Sequence, residues 1–329
     1  MSKHPMKRTV ARWRRTLVAL AIVAPAVVIL GVGAQASSQA SPPTEPGQAA
    51  SPTSILKEAE ELERTGDVDK AVGLYEQALK QDPSSYEAHL GLGSALDRKG
   101  EYTTARQHLQ KALANAPDAD AKRSANVALA NSFAFERNAA EGEPFYRAVF
   151  DASVAEGNFI RAAGDANALA RLFLESGDAD NAEKWYRTGY ETSKKVASPD
   201  PDQPPAVWEM RWHHAQSRIA ARRGDQAAAD EHAAAVKAAF DKDPKLGNGM
   251  AEHHYLVGYN AVQLKQSDKA IEALSQANQE DVFIVMLLGQ AYEGKGDQAK
   301  AREHYERVLQ MANHNLSGAL AASVAREGL

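Results

Sequence analysis

Five times the chain writes a glycine, an acidic residue directly after it, and an alanine five positions past the glycine: Gly66-Asp67…Ala71, Gly100-Glu101…Ala105, Gly177-Asp178…Ala182, Gly224-Asp225…Ala229 and Gly296-Asp297…Ala301. The order reads as a stop followed by a start. Glycine enters the left-handed region without a Cβ clash and so ends a helix. The acid after it falls at the N-cap of the next helix, where a carboxylate accepts orphan N–H groups of the first turn. The alanine lets two helix backbones approach closely. Tyr75, Leu109, Tyr186 and Tyr305 lie four residues after their alanines and therefore on the same face. Each unit is expected to be a helical hairpin with a small-then-large seam.

The first two units stand 34 residues apart, from Ala71 to Ala105, and Pro83 and Pro117 repeat at the same interval. Together with Leu92-Gly93-x-x-Leu96, Ala105-x-x-x-Leu109 and Pro117, and with Leu288-Gly289-x-x-Tyr292 and Ala301-x-x-x-Tyr305, this resembles the tetratricopeptide repeat. The leading tryptophan of that pattern is missing from every copy. The resemblance implies an all-α chain, a right-handed α-solenoid of about seven helical hairpins with a C-terminal capping helix. Two hairpins lack the glycine. One, over 120–156, takes its bulk from Phe133, Phe135, Phe145, Tyr146 and Phe150; the other, at about 250–280, has Lys265-Gln266-Ser267-Asp268 ahead of Ala270.

Residues 1–15 carry Lys3, Lys7, Arg8, Arg12, Arg14 and Arg15 and no acid, and an apolar run from Thr16 to Gly33 leads to Ala34-Gln35-Ala36. This is the three-part order of a secretory signal, with cleavage expected after Ala36 or Ala40. The other reading is a retained signal anchor that holds the protein to the inner membrane by residues 16–33. Arg14-Arg15-Thr16-Leu17-Val18 also fits a twin-arginine signal, although adjacent arginines are ordinary in any basic n-region. Either way the repeats are expected to be exported, in the periplasm or cell envelope of a bacterium. Any contact with the membrane is expected only through the uncleaved N-terminal segment.

The expected organisation is a signal peptide or anchor over 1–36 and a disordered Ser/Pro/Ala linker over 37–54. Repeats one to four then occupy 55–196, a Pro-rich loop 197–206, repeats five to seven 207–314, and a capping helix 315–329 that covers the last hairpin's apolar edge. The loop, with Pro199, Pro201, Pro204 and Pro205, reads as a stretch no helix includes, and as either a break between two stacks or a rigid strap across one face.

No catalytic constellation stands out, so no enzyme activity is expected. The phosphate loop, the dinucleotide glycine triplet, His-Glu-x-x-His and Gly-x-Ser-x-Gly are all missing from the sequence. The chain has no cysteine, which removes disulfides, thiolate metal sites and a catalytic thiol. His213-His214 and His253-His254 fall in neighbouring hairpins, but adjacent residues point about 100° apart on a helix, so each pair offers one ligand to a shared site. No cofactor and no metal is expected. Six of the 38 basic residues lie in 1–36, so their removal leaves 32 against 43 acidic residues and a formal charge of −11. Nucleic acid is therefore not an expected partner.

In the family this sequence resembles, the first helix of each hairpin lines a concave groove through positions ten and six residues before the turn glycine. Transferred to this chain, the middle of the groove holds Asn131, Asn167, Arg171, His214, Arg218, Tyr255, Tyr259 and Gln290, with Arg211 and Arg222 nearby. That face is basic and amide-rich on an acidic protein, which suits a protein or peptide partner with an acidic segment or C-terminus. The bland alternatives are that Arg171 pairs with Glu175 four residues on and that Arg218 and Arg222 form a solvated face. The chain lacks the paired lysines of relatives that grip chaperone C-termini, so chaperone binding is not expected. The expected role is an exported scaffold for a cell-envelope complex. The alternative is a small-ligand-binding or enzymatic accessory protein with a pocket where residues 198–205 meet the groove.

Overall fold

The computed structural model describes residues 51–196 and 203–329. The expected signal over 1–36, most of the expected linker and residues 197–202 of the Pro-rich loop lie outside the described residues. Fifteen α-helices follow one another among the described residues. The hairpins pair α1 (Pro52–Thr65) with α2 (Val68–Gln81), α3 (Tyr86–Lys99) with α4 (Tyr102–Asn115), and α5 (Ala119–Ala134) with α6 (Ala139–Ala155). They continue with α7 (Phe159–Glu175) and α8 (Ala179–Ser193), α9 (Pro205–Arg222) and α10 (Gln226–Lys242), and α11 (Met250–Gln263) and α12 (Ser267–Leu274). The seventh is α13 (Val282–Lys295) with α14 (Gln298–Met311), and α15 (Leu316–Gly328) follows alone.

Local chemistry sets the turns. Gly66, Gly100, Gly177, Gly224 and Gly296 all have left-handed backbone, with φ between 77° and 94°. The two hairpins without the glycine place Arg137 (φ 49°) and Lys265 (φ 58°) at the same point. A side chain there costs about 1–2 kcal/mol relative to glycine, which the surrounding hairpin must hold in place. Five residues past these two stand Gly142 and Ala270, the small residues of the missing copies. Asp67, Asp178, Asp225 and Asp297 each accept the backbone N–H three residues on, at 3.4, 3.0, 3.0 and 3.2 Å. Asn138 does the same for Glu141 at 3.3 Å. Glu101 makes no such bond. Its longer side chain lies 3.4 Å from Lys99 Nζ instead.

The seams are tight at these small residues. Ala71, Ala105, Ala182, Ala229, Ala270 and Ala301 are buried. On the facing helix a Cβ added at Gly289 would stand 2.5 Å from the Tyr305 ring, closer than packed atoms approach.

Two boundaries differ from the sequence reading, both at prolines. Helix α1 begins at Pro52, capped by Ser51, and α9 begins at Pro205. The linker therefore ends before residue 54, and the loop's last proline belongs to a helix. Proline lacks only an N–H that the first turn leaves unpaired anyway, and its φ is already helical.

A continuous core runs through hairpins three to seven, from Ala130 to Ala325, while the first two hairpins have smaller clusters of their own. The stack is not broken at the Pro-rich loop: Trp212 of α9 stacks on Tyr190 of α8 with ring centroids 5.4 Å apart. Helix α13 is buried without interruption from Phe283 to Gly289, because α14 covers one flank and α15 another. Beyond that capping contact, α15 reaches back to α5 and α7. His314, just before it, donates from Nε2 to Asp97 Oδ2 or accepts its proton at 2.8 Å, and Arg326 donates to Tyr102 Oη at 2.9 Å and to the Arg98 carbonyl at 2.6 Å. Arg137 pairs with Glu327. No helix among the described residues is long and apolar enough to cross a membrane.

Overpacking a seam tests this frame. Ala105→Leu is expected to lower the unfolding free energy by about 1–3 kcal/mol, read from the urea midpoint. Lys265→Gly is expected to raise it by about 1 kcal/mol by relieving the left-handed backbone at an exposed residue.

Candidate partner-binding groove

Helices α7, α9 and α11, the first helices of hairpins four to six, converge on a cleft of about 330 Å³. Asn167, Ala168 and Arg171 of α7 line it with Arg211, His214 and Arg218 of α9 and Glu252 and Tyr255 of α11. Tyr186 of α8 and Leu316, the first residue of α15, complete the wall. The structure thus brings together Asn167, Arg171, Arg211, His214, Arg218 and Tyr255 from the sequence-derived set. Three others lie elsewhere. Asn131 is buried within hairpin three, where its Oδ1 accepts the Tyr146 hydroxyl at 2.8 Å. Tyr259 lies behind the cleft and donates to Glu175 Oε1 at 2.9 Å, and Gln290 is a half-buried residue of α13 away from it.

The three arginines are held without a carboxylate partner among the described residues. Arg171 donates from Nη1 to Ser317 Oγ at 2.8 Å and lies 4.3 Å over the Phe283 ring. Arg211 donates to Gln203 Oε1 at 2.7 Å and lies 4.8 Å over Trp208. Arg218, only 6% exposed, donates from Nη2 to Tyr186 Oη at 2.6 Å and sits between the rings of Tyr186 and Tyr259 at 5.4 and 5.6 Å. Aromatic faces and hydroxyls offset part of the cost of burying these charges, but neutralise none of it. The Nε atoms of Arg171 and Arg218 and the Nε2 of His214 are buried with no partner.

Both bland alternatives fail. Glu175 pairs with Arg222 and accepts the Tyr259 hydroxyl, so it is not the partner of Arg171. Arg218 is buried rather than solvated. The sequence reading missed Tyr186, Leu316 and Ser317. Tyr186 carried a signal as the large residue of its seam; the other two carried none, because nothing local says that α15 returns to hairpin four.

His214 is 7% exposed and stacks on Tyr255, centroids 5.5 Å apart. Burial, then the charges of Arg218, Arg171 and Arg211, hold its imidazole well below the usual histidine range. It is neutral at pH 7. The other ring of the pair, His213, turns to its own hairpin and meets His232 with Nδ1 atoms 3.1 Å apart. His89 and His108 repeat that contact at 2.9 Å in hairpin two. Among the described residues no three His, Asp or Glu side chains are grouped to hold a metal ion. A second cleft, of about 280 Å³, lies beside the Pro-rich loop and is lined by Ile160, Tyr190, Pro205 and Trp208.

A stack of seven antiparallel hairpins whose inner helices present a basic cleft defines a helical-repeat solenoid. Tetratricopeptide-repeat patterns match residues 56–120, hairpins one and two, and residues 284–315, hairpin seven. Those three hairpins are tetratricopeptide repeats. No curated protein matches the chain. Among solved structures it is similar to a tetratricopeptide repeat protein from Parabacteroides merdae ATCC 43184, at 13% identity and a TM-score of 0.46, over 83% of this chain and 98% of that one. It is also similar to a chain of the APC/C hetero-tetramer Cut9-Hcn1, at 17% identity and a TM-score of 0.40, over 84% of this chain and 51% of the other.

The histidines give the fold a pH dependence of definite sign. Burial lowers the pKa of His89, His108, His232 and His253, and burial with three arginines lowers that of His214 furthest. The unfolded chain therefore binds protons first as pH falls through about 6.5, and stability present above that pH is lost below it. The urea midpoint is expected to fall between pH 7.5 and pH 5.5, and His214→Asn is expected to flatten the slope. A midpoint that rises on acidification would contradict the assignment.

Proposed function

We propose that this chain is an exported, non-enzymatic interaction scaffold that holds an acidic segment of a partner protein at the inner face of hairpins four to six, in the assembly of a cell-envelope complex. The observation that carries this reading is the convergence of Arg171, Arg211 and Arg218 on one cleft, beside a neutral His214, with no carboxylate paired to them among the described residues. A guanidinium is a planar fork that binds a carboxylate through two parallel N–H donors, and such charged hydrogen bonds are worth roughly 1.5–3 kcal/mol each. A partner carboxylate entering here supplies a counter-charge to buried Arg218 and half-buried Arg171 and Arg211.

The sign of the cleft opposes that of the protein, whose formal charge is −5 before any removal of its basic N-terminus. An acidic ligand is repelled by most of the surface and attracted at this place, which favours one docking position over many. Stacked helical hairpins present extended inner surfaces suited to a peptide segment. The basic, apolar and small-residue order of residues 1–36 supports export.

The test is affinity capture from envelope extract by the parent and by an Arg171→Gln, Arg211→Gln double variant of confirmed fold. A partner captured by the parent and lost by the variant, whose binding also falls when its own acidic residues are made neutral, is the expected result. Equal capture by both would move the binding surface away from the cleft.

A further inference from the structure

The cleft has a wall that does not come from the repeats. Leu316 opens α15 and lines the cleft, and the next residue, Ser317, accepts the Arg171 guanidinium at 2.8 Å. Asn315 caps the helix by accepting the Gly318 N–H at 2.8 Å. The N–H groups of Leu316 and Ser317 precede any intrahelical acceptor, so the first turn brings free donors and the positive end of the helix dipole to the same place as the three arginines. This is not a bare helix terminus. Arg218 and His214 are each more than nine-tenths buried, line the same cleft, and keep the Arg218 Nε and His214 Nε2 without partners.

The other end of α15 is strapped far from the cleft. Arg326 reaches Tyr102 and the Arg98 carbonyl, and Glu327 pairs with Arg137. Between the two ends Ala319, Leu320, Ala321, Ala322 and Ala325 are buried in the core of hairpins three to seven. The helix therefore ties hairpins two and three to hairpin four, and its docked position determines whether the cleft has its fourth side.

We propose that α15 is part of the carboxylate site, so that binding of an acidic segment and docking of the C-terminal helix are thermodynamically linked. This rests on the scaffold reading of the same cleft. A carboxylate bridging the arginines of α7 and α9 and the first turn of α15 favours the docked helix. By reciprocity, loosening the helix weakens the carboxylate, even when the change is made at the far end.

The experiment uses the full chain and two probes: an N-acetylated, C-amidated tetrapeptide with two glutamates, and an N-acetylated tetra-alanine with a free C-terminus. Amide exchange over 316–328 is followed with and without saturating probe, and affinity is measured by calorimetry for the parent and for Arg326→Ala. Binding of either probe is expected to slow exchange across α15, and Arg326→Ala is expected to weaken that probe by about five-fold or more without touching the cleft. Which probe binds distinguishes a side-chain carboxylate from a chain end. Should Arg326→Ala fail to fold, Glu327→Ala removes only the exposed pair with Arg137 and is expected to act in the same direction. Binding that is lost in the Arg171→Gln, Arg211→Gln variant, with exchange over 316–328 and affinity in the far-end variants unchanged, overturns the linkage and leaves the scaffold reading standing. Binding of neither probe overturns both.

Discussion

Everything in this molecule hangs on the close approach of two helices one turn after a left-handed residue. The turn reverses the chain, and a small residue five positions later lets the second helix lie against the first. At Gly289 the Tyr305 ring occupies the space a Cβ would need. Backbone proximity of this kind fixes the tilt of each pair, because packed side chains do not yield by half an ångström without losing contacts. Seven pairs then follow one another along the described residues, each packed against the next. The cleft follows from that repetition, as α7, α9 and α11 bring residues of three hairpins within reach of one another.

The inner face is unusual in what it buries. Arg218 is enclosed by tyrosines and Arg171 lies on Phe283, while buried Glu175 of the same helix pairs with Arg222 and Tyr259. A guanidinium tolerates such surroundings better than an ammonium, since its charge is spread over a plane that stacks on aromatic rings and is weakly hydrated. The arrangement still leaves three positive charges close together at one cleft, with Arg218 buried among them. Screening by water is weakest at Arg218, the buried member of the three, so an anion reaching it is attracted more strongly than at an exposed guanidinium.

Much of the fold was legible because its signals are local. A left-handed glycine, an acid that caps the next helix and an alanine one turn on act within a span that the chain itself holds together, and all five copies form hairpin turns. The two frames without glycine follow the same arithmetic: Val127 and Asn131 count back from Arg137, as Tyr255 and Tyr259 do from Lys265. The misreadings were also physical. Pro52 and Pro205 read as loop residues along the sequence, yet each opens a helix, because the first helical position suits proline. Register alone puts Asn131 on the groove, but the Tyr146 hydroxyl holds it inside the hairpin. Arg171 and Glu175 stand four apart on α7, yet Glu175 is taken by Arg222 from the next hairpin.

By itself the sequence determined the all-α repeat and the positions of the turns, since each depends on steric and capping rules acting over a few residues. It also placed Arg171, Arg211 and Arg218 on the first helices of neighbouring hairpins. Only the tertiary structure decided which arginines stay without a carboxylate partner among the described residues, that Tyr186 and Arg218 share a hydrogen bond, and that α15 returns to close the cleft. The Tyr186–Arg218 and Arg171–Ser317 bonds join residues 32 and 146 positions apart. Their pairing depends on how whole hairpins are stacked, and no spacing within a single hairpin encodes it.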